Sequence, residues 1–130
     1  APEGFHLHTD AEWMMLERHL GMDAGELEGL DNWRGHAGEL LKTGEQGIGF
    51  DALYGGAAVY ALSTAYNSRY VYKNEGAYFW SSDQIVISDS LSNGIVRNIS
   101  LYHSGIRRMT SRLISTTENV RPSYSVRLVK

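Results

Sequence analysis

The chain contains no cysteine and only two prolines in 130 residues. Without thiols there is no disulfide framework, no thiolate zinc site and no cysteine nucleophile. No apolar run approaches the roughly 18 residues that a membrane span needs, and no secretory signal pattern opens the chain. The start at Ala1-Pro2-Glu3-Gly4 lacks a methionine and reads as an excised domain or a processed N-terminus, so composition leaves the compartment open. Signatures of common chemistry are missing as well. There is no HExxH pair and no GxSxG elbow, and "GEQGIGF" (44–50) lacks the GK[ST] ending of a phosphate loop, so its glycines are expected to serve turns. No period of 20–50 residues repeats. What remains is an ordinary composition, 42% apolar and 21% charged, in a length that can bury one core, so residues 1–130 are expected to form a single domain.

Charge is scarce in total but unevenly placed. Residues 1–53 hold eleven acids against three bases, and residues 54–130 hold four against nine, for a net charge of −3. Two halves of opposite sign can attract each other within one domain. A nucleic-acid surface would need clustered bases with stacking aromatics, which only 107–112 approaches, so no nucleic-acid partner is expected.

The stretch "GFHLHTDAEWMMLERHLG" (4–21) sets His6, His8, Asp10 and Glu12 within seven positions, a pattern that resembles a row of metal ligands. Local chemistry explains it otherwise. Thr9 and Glu12 have capping-box spacing, and Asp10 and Glu12 occupy the first turn, where the helix dipole favours acids. Trp13, Leu16 and Leu20 then follow on one helical face, and Gly21 is a natural stop, which predicts a helix over 10–20. His6 becomes a framework histidine near the helix start, and no metal site is expected. A second, shorter helix is expected over 23–30 or 38–42, its glycines weakening either choice. From residue 44 glycines multiply, with Phe50 and Leu53 as core anchors. Beyond them the chain reads as short strands and turns. "GIVRNISL" (94–101) sets Ile95, Arg97, Ile99 and Leu101 on one face and Val96, Asn98 and Ser100 on the other. "SYSVRLV" sets Tyr124, Val126 and Leu128 opposite Arg127. Helices first and strands later indicate an α+β fold with short antiparallel strands and glycine-rich loops.

The region from Asp83 to Arg112 mixes tyrosine, histidine and arginine with many serines and asparagines. Tyr and Arg supply contact energy while Ser and Asn supply adaptable hydrogen bonds. The candidate ligand contacts are Asp83, Gln84, Asn98, Ser100, Tyr102, His103, Arg107, Arg108 and Arg112. Asn98-Ile99-Ser100 also matches an N-glycan sequon, a pattern short enough to arise by chance. Eleven acids crowd the first half, but none is marked as a catalytic pair.

Five ordered stretches, "GFHLHTDAEW", "WRGHAGELLK", "GFDALYGG", "AYFWSS" and "YSVRLVK", together resemble the Fibrobacter succinogenes major paralogous domain. That family reads G-[WF]-H-[LV]-P-[ST]-D-x-E-W, W-R-G-T-x-x-G-x-K-L-K, G-F-x-A-L-P-G-G, W-W-S-S and G-F-S-V-R-C-V. Here His8 and Tyr54 stand at its two prolines, Phe79 at the first tryptophan of the pair and Leu128 at its cysteine. The resemblance implies a C-type-lectin-like fold shared with formylglycine-generating enzymes. Those enzymes depend on cysteines absent here, so their activity is not carried over, and no cofactor is expected. The Glu-Pro-Asn and Trp-Asn-Asp pairs of calcium-dependent lectins are absent too. What the resemblance implies is a non-catalytic recognition module of a bacterial or phage protein, secreted or at the cell surface. The parent chain could carry a lipid anchor, with no membrane insertion by this domain. The partner would be a protein or a glycan. Domains of this fold also serve as targets of diversity-generating retroelements, and the placement of 83–112 fits that role. The alternatives are a structural or adhesin-tip (pilus-tip) domain, a carbohydrate hydrolase using the acidic half, and metal-dependent sugar binding, which would require oxygen ligands converging at calcium distances. Trp13, Leu16, Phe50, Leu53, Trp80 and Val126 are expected in or against the core, with Trp33-Arg34-Gly35 and Gly55-Gly56 as framework.

Overall fold

Thr9 closes the capping box that its spacing predicts: its Oγ1 accepts from the Glu12 backbone N–H at 3.0 Å, and Glu12 Oε2 accepts from the Thr9 N–H at 2.8 Å. The computed structural model, which describes residues 1–61, 69–89, 91–114 and 120–130, has the helix that follows, α1, at Asp10–His19. It ends where Gly21 adopts φ +98°. The Met22 N–H then bonds back to Glu17 O at 3.0 Å and the Gly21 N–H to Arg18 O at 3.1 Å, the paired bonds of a glycine-terminated helix. Both places expected for a second helix hold a short turn of one. A 3-10 turn covers Ala24–Glu26, and α2 covers Ala37–Leu41.

The named strands pair antiparallel, so the fold is α+β and sheet-rich, with three sheets among the described residues. β1 (His6–Leu7) pairs with β9 (Leu128–Val129). β3 (Ala57–Ala61) lies between β4 (Arg69–Val71) and β8 (Val120–Ser123). The main sheet has the order β2 (Trp33–Arg34), β7 (Ile106–Ile114), β6 (Leu91–Ser100), β5 (Gly76–Ser88). Its three principal strands are long rather than short as the sequence suggested. Ladder pairing carries the strands through Gly94 and the Ser/Asn positions that read locally as turns. β5 departs from regular pairing between Trp80 and Gln84. This bulge lets Ser82 N–H reach His8 O at 2.8 Å and lets Asp83 accept from the Asp10 N–H. The "WSS" stretch therefore holds the helix start against the sheet.

The core joins Trp13, Met22 and Leu41 to Phe79, Ile99 and Ile106, with Leu16 and Phe50 packed at its margin. Two expected anchors point outward instead. Leu53 is 75% exposed, because Ala52 takes the inward position and bridges Lys42. Val126 is 60% exposed, because Arg127 turns inward and lies over the Phe50 ring at 3.8 Å. The Tyr124/Val126/Leu128 face therefore does not pack as one core surface. Trp80 is half-buried with its ring edge-on to Tyr124 at 4.8 Å.

Beside this apolar core lies a charged one. Arg97 is fully buried, as is Glu17, and Asp10 is nearly so. Arg97 donates to Glu17 through Nε and to Asp10 through Nη1 at 2.7 Å, while Arg34 makes a two-pronged contact with Glu17 at 2.9 and 3.0 Å. Arg108 embraces Asp10 through Nε and Nη2 and gives Nη1 to Glu28 O at 2.7 Å. Asp10, Trp13 and Glu17 share one face of α1, so the helix buries a stripe that is apolar at its centre and acidic at both ends.

Candidate functional site

Residues directly opposed across antiparallel strands project from the same face of a sheet. Trp33 opposes Arg107, Arg107 opposes Asn98, and Asn98 opposes Tyr78. One straight row across all four strands of the main sheet thus carries an indole, a guanidinium, an amide and a phenol. The adjacent row, Arg34, Ile106, Ile99 and Ala77, has the opposite parity and faces α1. At one side of the outer face Tyr124 covers the sheet, its ring stacked on Tyr78 at 5.5 Å and its hydroxyl 3.0 Å from Ser111 Oγ. At the other, a cleft of about 280 Å³ opens over the row.

Two loops build the cleft walls. Between β4 and β5 the chain turns through Tyr72 (φ +58°) and Asn74 (φ +65°), and Gly76 N–H bonds Tyr72 O at 2.9 Å. A left-handed tyrosine is sterically costly, and here it brings an exposed ring beside Tyr78, with centroids 6.0 Å apart. Between β6 and β7, Tyr102 donates its hydroxyl to Glu75 Oε1 at 2.7 Å, and His103 stacks on Trp33 at 4.0 Å with 11° between the planes. α2 holds that loop. Lys42 donates to His103 O at 2.7 Å and to Glu39 at 2.9 Å, and Ser104 O accepts from the Glu39 N–H at 2.8 Å. Burial, with the neighbouring Tyr72 and Tyr124, raises the Tyr78 hydroxyl above its ordinary pKa, and the bond to Glu75 raises that of Tyr102. Both phenols are hydrogen-bond donors at neutral pH.

Of the nine expected contacts, Asn98, Ser100, Tyr102, His103 and Arg107 line this cleft. Arg108 does not. Its guanidinium is spent on Asp10 and Glu28, and it is a buried framework residue rather than a surface contact. Asp83 is exposed but serves the start of α1, and Gln84 is exposed after the bulge, away from the cleft lining. Arg112 opposes Asn93 on the backbone, and its side chain lies outside the described residues. The sequon asparagine, Asn98, is 3% exposed and donates to Ala77 O at 3.2 Å, so the folded chain offers no acceptor there. Trp33, Tyr72, Glu75, Gly76 and Tyr78 complete the lining; the last four escaped sequence reasoning, and Trp33, expected as framework rather than as a ligand contact, lies in the cleft. Strand alternation held the signal for Trp33: once Arg34 is buried, its neighbour must face the other way.

Adjacent arginines thus have opposite fates. Arg108 is saturated by protein acceptors. Arg107 meets Asp31 only at 4.0 Å, is about a third exposed, and keeps a buried Nε without a hydrogen-bond partner among the described residues. The cleft therefore presents a part-exposed, loosely paired guanidinium beside one carboxylate and several aromatic rings.

Other concavities offer less chemistry. One, of about 900 Å³, runs along the outer side of α1 between Met14, Met15, Ala24 and Leu27, and is apolar with charges at its edges. Asp10 and Glu17, the acids brought together on Arg97, are sealed in the core. Burial raises the Asp10 pKa, but the Arg108 hydrogen bonds and the Arg97 charge outweigh it and leave it lowered. His6 pairs with Glu12 at 2.7 Å on the surface, and among the described residues no three His, Asp or Glu side chains converge as metal ligands. No helix among the described residues is long and apolar enough to cross a membrane.

Compared with known proteins, residues 1–130 match the model of the Fibrobacter succinogenes major domain. No curated protein and no solved structure matches the chain.

Proposed function

The chain belongs to the Fibrobacter succinogenes major domain family, and for this member we propose a non-catalytic recognition module that binds its partner in the cleft over Trp33, Arg107, Asn98 and Tyr78. One observation carries the reading: a cross-strand row on the sheet face away from α1, with a part-exposed arginine whose Nε has no hydrogen-bond partner among the described residues. Binding groups held on strands keep their geometry, and Tyr, Trp and Arg are the side chains that concentrate contact energy. The loops that frame the row, 72–76 and 101–105, are the positions at which specificity would be set. Part of the retroelement-target reading for 83–112 rests on the same geometry, since Asn98, Tyr102, His103 and Arg107 share this face.

The finer fold belongs to this proposal too. A C-type-lectin-like arrangement is supported by the antiparallel pairing of the two chain ends, His6 with Val129, and by the capped helix seated on the main sheet. A secreted or cell-surface setting on a bacterium or phage is the setting in which such a module would work.

The test is a screen of the purified chain on glycan and protein arrays, repeated with Trp33→Ala/Arg107→Ala. Partners captured by the parent are expected to be lost by the double variant while its far-ultraviolet circular dichroism is kept. Capture that survives the double change refutes the cleft as the site.

A second reading, a structural or adhesin-tip domain, rests on the groove along α1, where Met15 is 72% exposed. Packing of another subunit there would make Met15→Glu abolish association measured by sedimentation, with the cleft untouched. The carbohydrate hydrolase draws no support from the acids that meet in the core, which are neutralised by arginine and closed to substrate.

A further inference from the structure

We infer that the cleft takes a single pyranose unit of a glycan, bound without a metal; the inference rests on the recognition reading above and names the ligand class for that site. Size is the first constraint. At about 280 Å³, the cleft lies at the lower bound of small-molecule sites, roughly 300–1,000 Å³, which suits one sugar ring rather than a folded partner surface.

Chemistry is the second. A pyranose ring has an apolar C–H face and a rim of hydroxyls that each donate and accept. The cleft offers the matching pair of features. Tyr72, Tyr102 and His103 are exposed aromatic rings at its wall, and Trp33 and Tyr78 lie half-buried in its floor. These rings are held by stacking and hydrogen bonding, not by the ligand: His103 on Trp33, Tyr78 under Tyr124, and Tyr102 on Glu75. For the hydroxyl rim there is an acceptor carboxylate, Glu75, and the part-exposed guanidinium of Arg107, which meets Asp31 only at 4.0 Å, with the buried Asn98 and Ser100 also in the lining. A ligand that both donates and accepts uses both ends of this set.

Charge is the third. One carboxylate and one guanidinium line the cleft, so there is no excess of either sign to favour a polyanion or a bare cation. A single carboxylate is also too few oxygen ligands for a calcium-bridged sugar, which takes six to eight oxygens. The ring would instead hydrogen-bond directly to Glu75 and Arg107.

The test uses the whole chain, titrated with the methyl glycosides of glucose, galactose and mannose, with N-acetylglucosamine and with glucuronate. Binding is read by Trp fluorescence and by the amide shifts of 75–78 and 97–107. At least one of these sugars is expected to bind in the millimolar range, unchanged by EDTA, and to compete with the array glycan that carries it. Arg107→Gln and Glu75→Gln should each weaken binding at least tenfold, Trp33→Ala should abolish it, and Gln84→Ala should leave it unchanged. Each variant's thermal melt shows whether its fold is intact. If Trp33→Ala fails to fold, the two polar changes, Glu75→Gln and Arg107→Gln, decide alone.

Three outcomes overturn the inference in distinguishable ways. A peptide or protein captured through the cleft, with no sugar competing, removes the pyranose and leaves the recognition reading standing. Sugar binding that survives the cleft variants removes the site and that reading together. Absence of binding to every sugar in the set removes the pyranose inference by itself.

Discussion

Arg107 and Arg108 show how far one residue's role depends on strand parity. Both carry the same charge and sit one step apart on β7, yet Arg108 is enclosed with Asp10 while Arg107 remains half free over the cleft. An arginine pair read from sequence alone gives both the same claim to a binding site. What separates them is which face of the strand looks at α1, and that depends on partners 70 to 100 positions away. Burying Asp10 costs desolvation that its arginines offset, so removing it leaves Arg108 without its counterion and Arg97 with Glu17 alone. Asp10→Ala is expected to destabilise the chain by about 3–5 kcal/mol, the cost of breaking a buried pair, measured by urea unfolding. The pH dependence follows from two groups. His8 packs on Trp13 at 4.8 Å, and burial lowers its pKa below 6.5. The unfolded chain therefore takes up a proton that the folded ring resists, and stability falls as pH drops below about 6.5. Asp10, also lowered, contributes stability that is complete above its ordinary 3.8 and is lost as pH falls through its folded value. Urea midpoints should be flat in neutral solution and decline in two stages. The upper stage should disappear in His8→Phe, which keeps a ring on Trp13.

Among the elements, those written in local chemistry were legible and those written in pairing were not. α1 follows from Thr9, Glu12 and Gly21 alone, and its bounds agree with the sequence to one residue. Thr9→Ala should cost about 1 kcal/mol, the usual worth of such a cap, with the loss visible as a lower thermal midpoint. The β6 faces were also legible as an alternation, but not the fact that both are buried. One face of β6 packs toward α1, and on the other Asn98 lies buried between Tyr78 and Arg107, which oppose it on the flanking strands; Arg97 lies on the core face among isoleucines because Asp10 and Glu17 wait there. Val126 and Leu53 misled for the converse reason. Their apolar character is local, whereas their orientation is set by Arg127 over Phe50 and by Ala52 against Lys42. The cleft's loops depend on pairing too. A side chain on Gly38 would overlap the Gly105 carbonyl, so α2 and the β6–β7 loop touch through backbone. Gly38→Ala is expected to loosen that loop and shift the amide resonances of 102–105 while leaving α1 intact, as read by two-dimensional NMR.

At the scale of the whole molecule, the division of charge along the chain becomes a principle of assembly. The acidic first half contributes Asp10 and Glu17, the basic second half contributes Arg97 and Arg108, and the two halves meet inside the core rather than across a surface. The opposition of charge was legible in the composition; its burial was not, because nothing local distinguishes a core arginine from an exposed one. The same junction positions the cleft. α1 holds the main sheet from one side through these pairs, which leaves the other face free to carry Trp33, Arg107, Asn98 and Tyr78. Surface attraction between two charged halves would weaken as salt shortens the screening length from about 10 Å at 0.1 M to 3 Å at 1 M. Contact pairs buried away from solvent are screened much less. Raising sodium chloride across that range is therefore expected to change unfolding stability by less than roughly 1 kcal/mol, the upper worth of one exposed pair. The same series on Asp10→Asn should be equally flat, though from a lower starting stability. A steep loss of stability with salt in the parent would mean that the halves are held by their surfaces, and that the Asp10–Arg97–Glu17 junction does not carry the assembly.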